Sequence, residues 1–578
     1  MNIFTSPRRI SRPFAAILGA GLLGFAALPQ MQGQVVTVPP TPVVGSSNPA
    51  TAEPPVSRPS TTPCVVTLFS NEEFGDYSAH AMDYAPPAGC RGAWAKVVLT
   101  IDFTVTAGRQ YDRTASLYLG NANIFYGTTA EPRAALSPSW HVERDVTDLT
   151  PIFKTSQTGQ AVIYNIVNST YTGVIYGTAK LYFYPADFRN PPPIVPQTVI
   201  PVSGSNNSYT LNSGNDQVTA TFTAPRNTIK AYLDVISQSQ SNDEFWYLCV
   251  PSDVAGELET CGNTAFRETE VTIDGKPAGV APVYPWIYTG GIDPYLWEPI
   301  TGIQTLNFKP YRVDLTPFAG VLSDGNQHTI GISVYNADSY FLETSNLLLY
   351  TDPLRSNTSG ELEEDTLSAE PTPQVSENLS TDGSGNTTGT VTVDSLRNFT
   401  VKGYVDTSLG RVETTVEQAV DFNSTQTFDI GSGGIPEVQN AVQTSTVNSR
   451  TAEQRGILRT ETNRNVSFPV TIDYDFFANP DGTYSQTTSV DQGYVVQNNA
   501  SLNGFPTGSS SVKEEVKSSD TLNYNSALTA ITGNSGAQSS ASYLFVDSAG
   551  DCFSRQLTSA DNVLTSVSDG KSCPAHRW

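Results

Sequence analysis

Positive charge, histidine, sulfur and long apolar runs are all scarce in this chain. Its 578 residues hold 32 Lys and Arg against 56 Asp and Glu, a formal net charge of −24. Nothing in that balance would neutralise a phosphate backbone, so nucleic acid is excluded as a partner, and anionic membrane surfaces are disfavoured for the same reason. The four histidines, His80, His141, His328 and His576, are scattered and no CxxC occurs, so no zinc-ligand spacing exists and no metal is expected. GxSxG, HExxH, a P-loop and a dinucleotide fingerprint behind a strand are missing, which sets aside the chemistries those motifs carry. Long Ala/Leu/Glu/Lys stretches of helical period are missing as well.

One apolar run stands out. Phe14 to Leu28 follows Arg8, Arg9 and Arg12. It is short for a bilayer span and fits a signal-peptide core. Residues 1–33 are therefore expected to be a signal peptide, and the chain to be secreted or periplasmic with no membrane attachment after cleavage. The six cysteines suit that compartment. They fall into sequence-local pairs, predicting the disulfides Cys64–Cys90, Cys249–Cys261 and Cys552–Cys573.

What the chain does have is Thr, Ser, Asn, Gly, Val and aromatics, a mixture that reads as all-β with many turns. Residues 34–63 are rich in Pro, Ser and Thr and read as a linker, with order beginning near Cys64. Val97, Leu99, Ile101, Phe103 and Val105 alternate with less apolar residues, the period of a strand with one buried face. A first β-sandwich is placed at 64–190 and a second at 198–350. Three echoes in the same order suggest that the two are related. Asn71-Glu72-Glu73-Phe74 is matched by Asn242-Asp243-Glu244-Phe245, Arg113 before a strand by Arg267 before a strand, and Asp148-Leu149-Thr150-Pro151 by Asp314-Leu315-Thr316-Pro317. Residues 351–390 read as a linker or mobile loop, and 391–578 as a C-terminal β-rich domain.

Carboxylate chemistry is what remains for a catalytic site. Asp112, in Gly108-Arg109-Gln110-Tyr111-Asp112-Arg113, sits at a strand entrance. It suits a carboxylate that positions or activates water, or a structural Asp–Arg pair. Asp243 and Glu244 beside Trp246 and Tyr247 offer hydroxyl acceptors and stacking faces for a sugar, or form an acidic loop over core aromatics. Arg267 and Glu268 open a strand and would line an interface between the sandwiches, or a salt-bridged strand edge. The stretch Tyr284 to Pro299 carries Trp286, Tyr288 and Trp297 in a loop, suited to stacking on a glycan or peptide, or to packing on itself.

The same stretches carry a family resemblance. CVVTLFSNEEF (64–74), GRQYDR (108–113), DVTDLTP (145–151), NDEFWY (242–247), FRETEVTIDG (266–275) and YPWIYTGGIDPYLWEPI (284–300) resemble the peptide-N-glycosidase A family. That family is similar in design to bacterial peptide-N-glycosidase F enzymes. The resemblance implies two tandem jelly-roll β-sandwich domains followed by the C-terminal β-rich domain. It implies hydrolysis of the β-aspartyl-glucosamine amide bond of an N-glycopeptide or glycoprotein, releasing the intact glycan and converting Asn to Asp, with no cofactor; the protein is expected to be a monomer. Asp112 in Tyr111-Asp112-Arg113 inherits the role of the main catalytic carboxylate. Asn263 stands where the F-type enzymes carry an assisting glutamate, so that role passes to Glu244 or Glu268. Arg113 or Arg267 would stabilise developing negative charge. Asp243, Trp246, Trp286, Tyr288 and Trp297 would bind the chitobiose core or the peptide. A non-catalytic glycan-binding β-sandwich protein and a two-carboxylate glycoside hydrolase are the alternatives, and product chemistry separates all three.

Overall fold

The computed structural model describes residues 41–90 and 92–573. The stretch expected as a signal peptide lies outside them. Among the described residues strands dominate, and no helix is long and apolar enough to cross a membrane.

The first unit has eight strands: β1 (Cys64–Phe74), β2 (Ala79–Tyr84), β3 (Trp94–Val105), β4 (Thr114–Leu119), β5 (Ala122–Thr128), β6 (Ser139–Asp145), β7 (Gln157–Ile163) and β8 (Ile175–Pro185). They form two antiparallel sheets, ordered β1-β8-β3-β6 and β2-β7-β4-β5. The alternation that predicted β3 buries Val97, Leu99 and Ile101 against Ala115, Leu117 and Leu119 of β4, so the core lies between the sheets.

The second unit contains β9 (Thr198–Val202), β10 (Tyr209–Leu211), β11 (Val218–Phe222), β12 (Thr228–Gln240), β13 (Glu268–Ile273), β14 (Lys276–Pro282), β15 (Tyr311–Asp314), β16 (His328–Tyr335) and β17 (Tyr340–Thr351). Its sheets run β10-β17-β12-β15, with β9 added on β17, and β11-β16-β13-β14. Counted from β10, this is the strand order of the first unit.

That correspondence sorts the three echoes. Arg113 and Arg267 each precede the fourth strand of their unit, β4 and β13, so this echo is structural. The Asp-Leu-Thr-Pro echo lies three residues out of the structural register. Asp145 and Asp314 end the equivalent strands β6 and β15, and each accepts the N–H two residues on, from Thr147 and Thr316, at 3.0 Å. The Asn-acid-Glu-Phe echo is not structural: Asn71–Phe74 closes the first strand β1, whereas 242–245 follows β12, the third strand of its unit.

The third unit comprises β18 (Gly360–Asp365), β19 (Gln374–Thr381), β20 (Thr387–Thr407), β21 (Gly410–Ile430), β22 (Glu437–Arg455), β23 (Leu458–Ala478), β24 (Tyr484–Leu502), β25 (Phe505–Tyr524), β26 (Ile531–Asp547), β27 (Cys552–Ala560) and β28 (Val563–Asp569). From β20 onward each strand pairs with the next, while β18 and β19 both pair with β20, giving one antiparallel sheet of eleven strands. Strict alternation along strands such as β21 buries one face, including Val420, Phe422, Val447 and Phe468. That face shares a hydrophobic core with the second unit: Phe422 packs on Trp246 and Phe266, and Phe468 on Tyr284.

Two expected linkers are structured. Within 34–63, the described part from residue 41 lies against the body. Ala50 and Ala52 are buried, Ala50 N–H donates to the Pro299 carbonyl at 2.8 Å, and Val56 N–H donates to Glu143 at 2.7 Å. Pro-rich chain is already extended, so its composition fits a packed strap as well as a free linker. Residues 351–390 contain β18 and β19. These are edge strands with most side chains exposed, so they need no apolar alternation and their polar composition hid them. The three local disulfides all form as predicted: Cys64–Cys90, Cys249–Cys261 and Cys552–Cys573.

Candidate active site

The β3–β4 connection carries Asp112 near its end and is pinned along its length. Gly108 adopts φ +150°, and a Cβ there would lie 2.7 Å from the backbone of Thr172 and Gly173, so only glycine permits this approach. The Arg109 carbonyl accepts the N–H groups of Thr172 and Gly173. Gln110 reaches Asn165 at 2.9 Å, and Asn165 in turn donates to the Phe74 carbonyl. Arg113 N–H donates to Thr129 Oγ1, and its buried guanidinium folds back to donate from Nη1 to the carbonyls of Tyr111 and Asp112. The guanidinium lies against the Tyr111 ring, and its Nε and Nη2 meet no hydrogen-bond partner among the described residues.

Asp112 therefore enters the site with its backbone fixed. Its Oδ2 accepts the N–H of Gly290 at 2.8 Å, from the β14–β15 connection. Its own N–H donates to Glu131 Oε2 at 3.1 Å, from the β5–β6 connection. A Cβ on Gly290 would sit 2.0 Å from Glu131 Oε2 and 3.2 Å from Asp112 Oδ2, so both carboxyls converge on this glycine. Glu244, just past β12, faces the same two acids. By strand order, Asp112 and Glu244 come from equivalent connections of the two units, and so do Glu131 and Gly290. The site is assembled where two pairs of matching loops meet.

Three carboxyls this close cannot all be charged. Burial raises the Asp112 pKa, and the Gly290 N–H and the Arg113 charge oppose that rise. Glu131 is pushed up to about 8, by burial and then by the charge on Asp112. Glu244 is likewise pushed up to about 8 by burial and by the charges of Asp112 and Glu131. Glu131 also accepts a backbone N–H and lies near Arg113 and Arg109, yet the charge on Asp112 raises both glutamates while neither glutamate's charge raises Asp112, so Asp112 is the first to ionise and the glutamates hold protons near neutrality. That division supplies a base and an acid in one site. Burial lowers the Arg113 pKa only to about 10, so it stays a cation over this range.

Tyrosines rim the carboxyls. Tyr77 is 48 % exposed, and Tyr111, Tyr164, Tyr171 and Tyr340 are each partly open. The Tyr111 and Tyr171 rings meet edge to face at 4.7 Å, Tyr77 and Tyr164 lie 5.8 Å apart, and the hydroxyls of Tyr77 and Tyr111 are 3.5 Å apart. Tyr340 stands within electrostatic reach of Glu244, Tyr77 and Tyr164.

Asp112, Arg113 and Glu244 thus come together as expected, and the other expected residues do not. Glu268 is 1 % exposed and ion-paired with Arg397 of β20, because the alternation of β13 turns it toward the third unit. Asp243 and Arg267 are fully engaged in the interior. Arg267 donates to Asp243 Oδ1 from Nε and Nη2 at 2.8 and 2.7 Å, while Oδ2 takes the N–H groups of Asp338 and Ser339. Trp246, Trp286, Tyr288 and Trp297 are buried and have no free face for a sugar. Trp286 stacks on Phe308 at 4.1 Å, the Tyr288 hydroxyl donates to the Ser239 carbonyl, and Trp297 Nε1 donates to the Gly291 carbonyl. They build the wall behind the site. Glu131, Gly290 and the tyrosine rim were missed. Glu131 lies in no motif, and lone tyrosines in turns carry no periodic signal. Gly290-Gly291 was the one available hint, a place for close backbone approach.

The family described as peptide N-acetyl-beta-D-glucosaminyl asparaginase amidase A matches residues 49–367. This chain belongs to that family. The matched range holds Asp112, Glu131, Glu244 and Gly290, while the long strands β20–β28 lie beyond it. A relative from Prunus dulcis, the peptide-N4-(N-acetyl-beta-glucosaminyl)asparagine amidase A, is 29 % identical over 475 residues, covering 76 % of this chain and 79 % of that protein. Among solved structures, PNGF-II is similar at 14 % identity and a TM-score of 0.36, over 51 % of this chain and 66 % of that one. A peptide-N(4)-(N-acetyl-beta-D-glucosaminyl)asparagine amidase is similar at 13 % identity and a TM-score of 0.35, over 51 % of this chain and 98 % of that one.

Proposed function

We propose that this member of the amidase A family hydrolyses the β-aspartyl-glucosamine amide of N-glycopeptides at the Asp112–Glu131–Glu244 site. Water adds to the side-chain carbonyl of the glycosylated Asn, the C–N bond breaks, the nitrogen leaves with the sugar as a glycosylamine, and the peptide keeps an Asp. Asp112, its Oδ2 held by Gly290 N–H, orients the water with its other oxygen and takes its proton. A protonated glutamate, Glu131 or Glu244, gives a proton to the departing nitrogen. The tyrosine rim, and not the buried tryptophans, supplies the stacking faces. The observation that carries this reading is the convergence of two carboxyls on Gly290, Asp112 held by the Gly290 N–H and Glu131 by the Asp112 N–H, with a third acid facing them, inside the family's matched range.

Both eight-strand orders, with one sheet running first-eighth-third-sixth and the other second-seventh-fourth-fifth, support reading the first two units as tandem jelly rolls. Three disulfides support a secreted or periplasmic site of action. A defined glycopeptide incubated with the protein in 18O water tests the activity by mass spectrometry. An intact glycan and a peptide with one 18O-labelled Asp are expected. A GlcNAc left on Asn would make the protein a glycosidase, and unchanged substrate a binding protein.

A further inference from the structure

The loop that carries Gly290 is held from outside its own unit. Gln492 of β24 donates to the Pro285 carbonyl and accepts the Ile303 N–H, each at 2.8 Å. Ser518 of β25 donates to the Leu296 carbonyl at 2.6 Å. Asn562, in the β27–β28 turn, donates to the carbonyls of Tyr295 and Glu298 at 2.8 and 3.1 Å. A further contact pairs two acids: Asp293 of the loop, 0 % exposed, with Asp520 of β25, 2 % exposed. Asp293 Oδ1 takes the Tyr295 N–H at 2.8 Å and Asp520 Oδ1 takes the Asn534 amide at 3.0 Å. Oδ2 of each is buried with no donor among the described residues, yet the two carboxyls are within hydrogen-bond reach of each other.

Two acceptors cannot bond without a proton between them, and two bare carboxylates in this setting would repel. We infer that the third unit is the positioning scaffold of the active-site loop, and that Asp293 and Asp520 share one proton that clasps the Gly290 segment against Asp112. The clasp rests on the active site proposed above. The groups facing the pair leave the proton as its means of satisfaction. Tyr295 and Glu298 on the loop and Tyr524 on β25 add no positive charge, and Arg133, from the β5–β6 connection, is committed to Glu298 at 2.7 Å. Burial raises both aspartates, Asp293 further because it faces Asp520. The proton is held in acid and lost as the pH rises, so the clasp closes in acid and loosens in base.

Hydrogen exchange across residues 286–297 of the full chain, followed over a pH series and corrected for intrinsic exchange, reads the clasp directly. In the wild type, protection should fall about tenfold or more between acid and alkaline pH, the loss expected of a local opening. Asp520→Asn donates an amide N–H to the Asp293 carboxylate without needing a proton, so its protection should stay flat with pH. Asp520→Ala should be unprotected throughout and lose about tenfold in kcat with little change in KM, and Asn should rescue it. Flat protection in the wild type, or Asp520→Asn following the wild type, would overturn the clasp, and these two proteins decide the matter even if the alanine variant does not fold. The readout needs no turnover. Expected protection in a protein that cleaves no glycopeptide would refute the proposed activity and leave the clasp standing.

Discussion

Asp112 is held by its neighbours without being neutralised by any of them. One oxygen takes the Gly290 N–H, and Arg113 bonds to the Asp112 carbonyl rather than to the carboxylate. A structural Asp–Arg pair would show the opposite, as Asp243 and Arg267 do in the same protein. Asp112→Asn keeps an oxygen for Gly290 but removes the base. It should lower kcat by about a hundredfold or more while glycopeptide binding, measured by calorimetry, persists. Activity within a few-fold of wild type would move the base to Glu131 or Glu244. Gly290→Ala tests the convergence itself. Its Cβ would meet Glu131 Oε2 at 2.0 Å, and since that oxygen ends a flexible side chain, the fold can yield where the site cannot. The variant should unfold within a few degrees of wild type yet lose about tenfold or more in kcat, because Glu131 is driven off the Asp112 N–H.

At the scale of elements, strands were legible and connections were not. Alternation located β3, and Arg113 and Arg267 marked equivalent strand starts, because a strand with one face in the core writes its period into the sequence. A connection has no period. Trp286 and Trp297 looked like sugar platforms from composition, and burial made them core. Tyr171, in the β7–β8 connection, looked like nothing and lies on the rim. Glu131 was invisible because its partner Asp112 is brought to it only by the fold. Two substitutions separate rim from wall. Tyr171→Ala should raise KM several-fold with kcat and Tm nearly unchanged, as loss of one stacking face of about 1 kcal/mol implies. Trp286→Ala should behave oppositely. It empties a stacked site against Phe308, so stability should fall by about 3–5 kcal/mol, read from denaturant unfolding, before KM changes. A KM effect at Trp286 without loss of stability would return it to the binding surface.

At the scale of the whole molecule, buried acids outnumber buried cations among the described residues, and this sets how stability should depend on pH. Besides the active-site trio, burial pushes Glu268 and Glu270 up to about 7, although the one guanidinium of Arg397 that faces both opposes the rise, and Glu343 and Glu437 up to about 8. These groups sit in the sandwich core and between units, so their protons belong to the fold. Between about pH 4.5, where an unfolded glutamate releases its proton, and about pH 8, where these do, the native state binds more protons than the unfolded chain. Stability must therefore fall as pH rises through that window. His141 acts in the same direction. Its contacts with Asp102 and Glu143 outweigh the cost of burial and raise it to about 9, so its contribution is complete below the ordinary histidine range and fades as pH climbs. The acid limit is set by groups of the other kind. Glu143, held down at about 2 by His141 and Arg58 against the cost of burial, and Asp569, lowered by Arg555, lose their contribution only as pH falls through their depressed values. Maximum stability should lie near pH ~5, and Tm by calorimetry should be higher there than at pH ~8 by at least a few degrees, since each unit of pKa shift is worth about 1.4 kcal/mol in the limit. Replacing Glu343, whose buried carboxyl is bonded among the described residues to Ser237 and Ser345 alone, by Gln should flatten part of that slope, because Gln needs no proton to occupy the site. A Tm that rises from pH 5 to 8 would mean that these carboxyls are ionised in the native state, and the proton inventory assigned to the active site would fall with them.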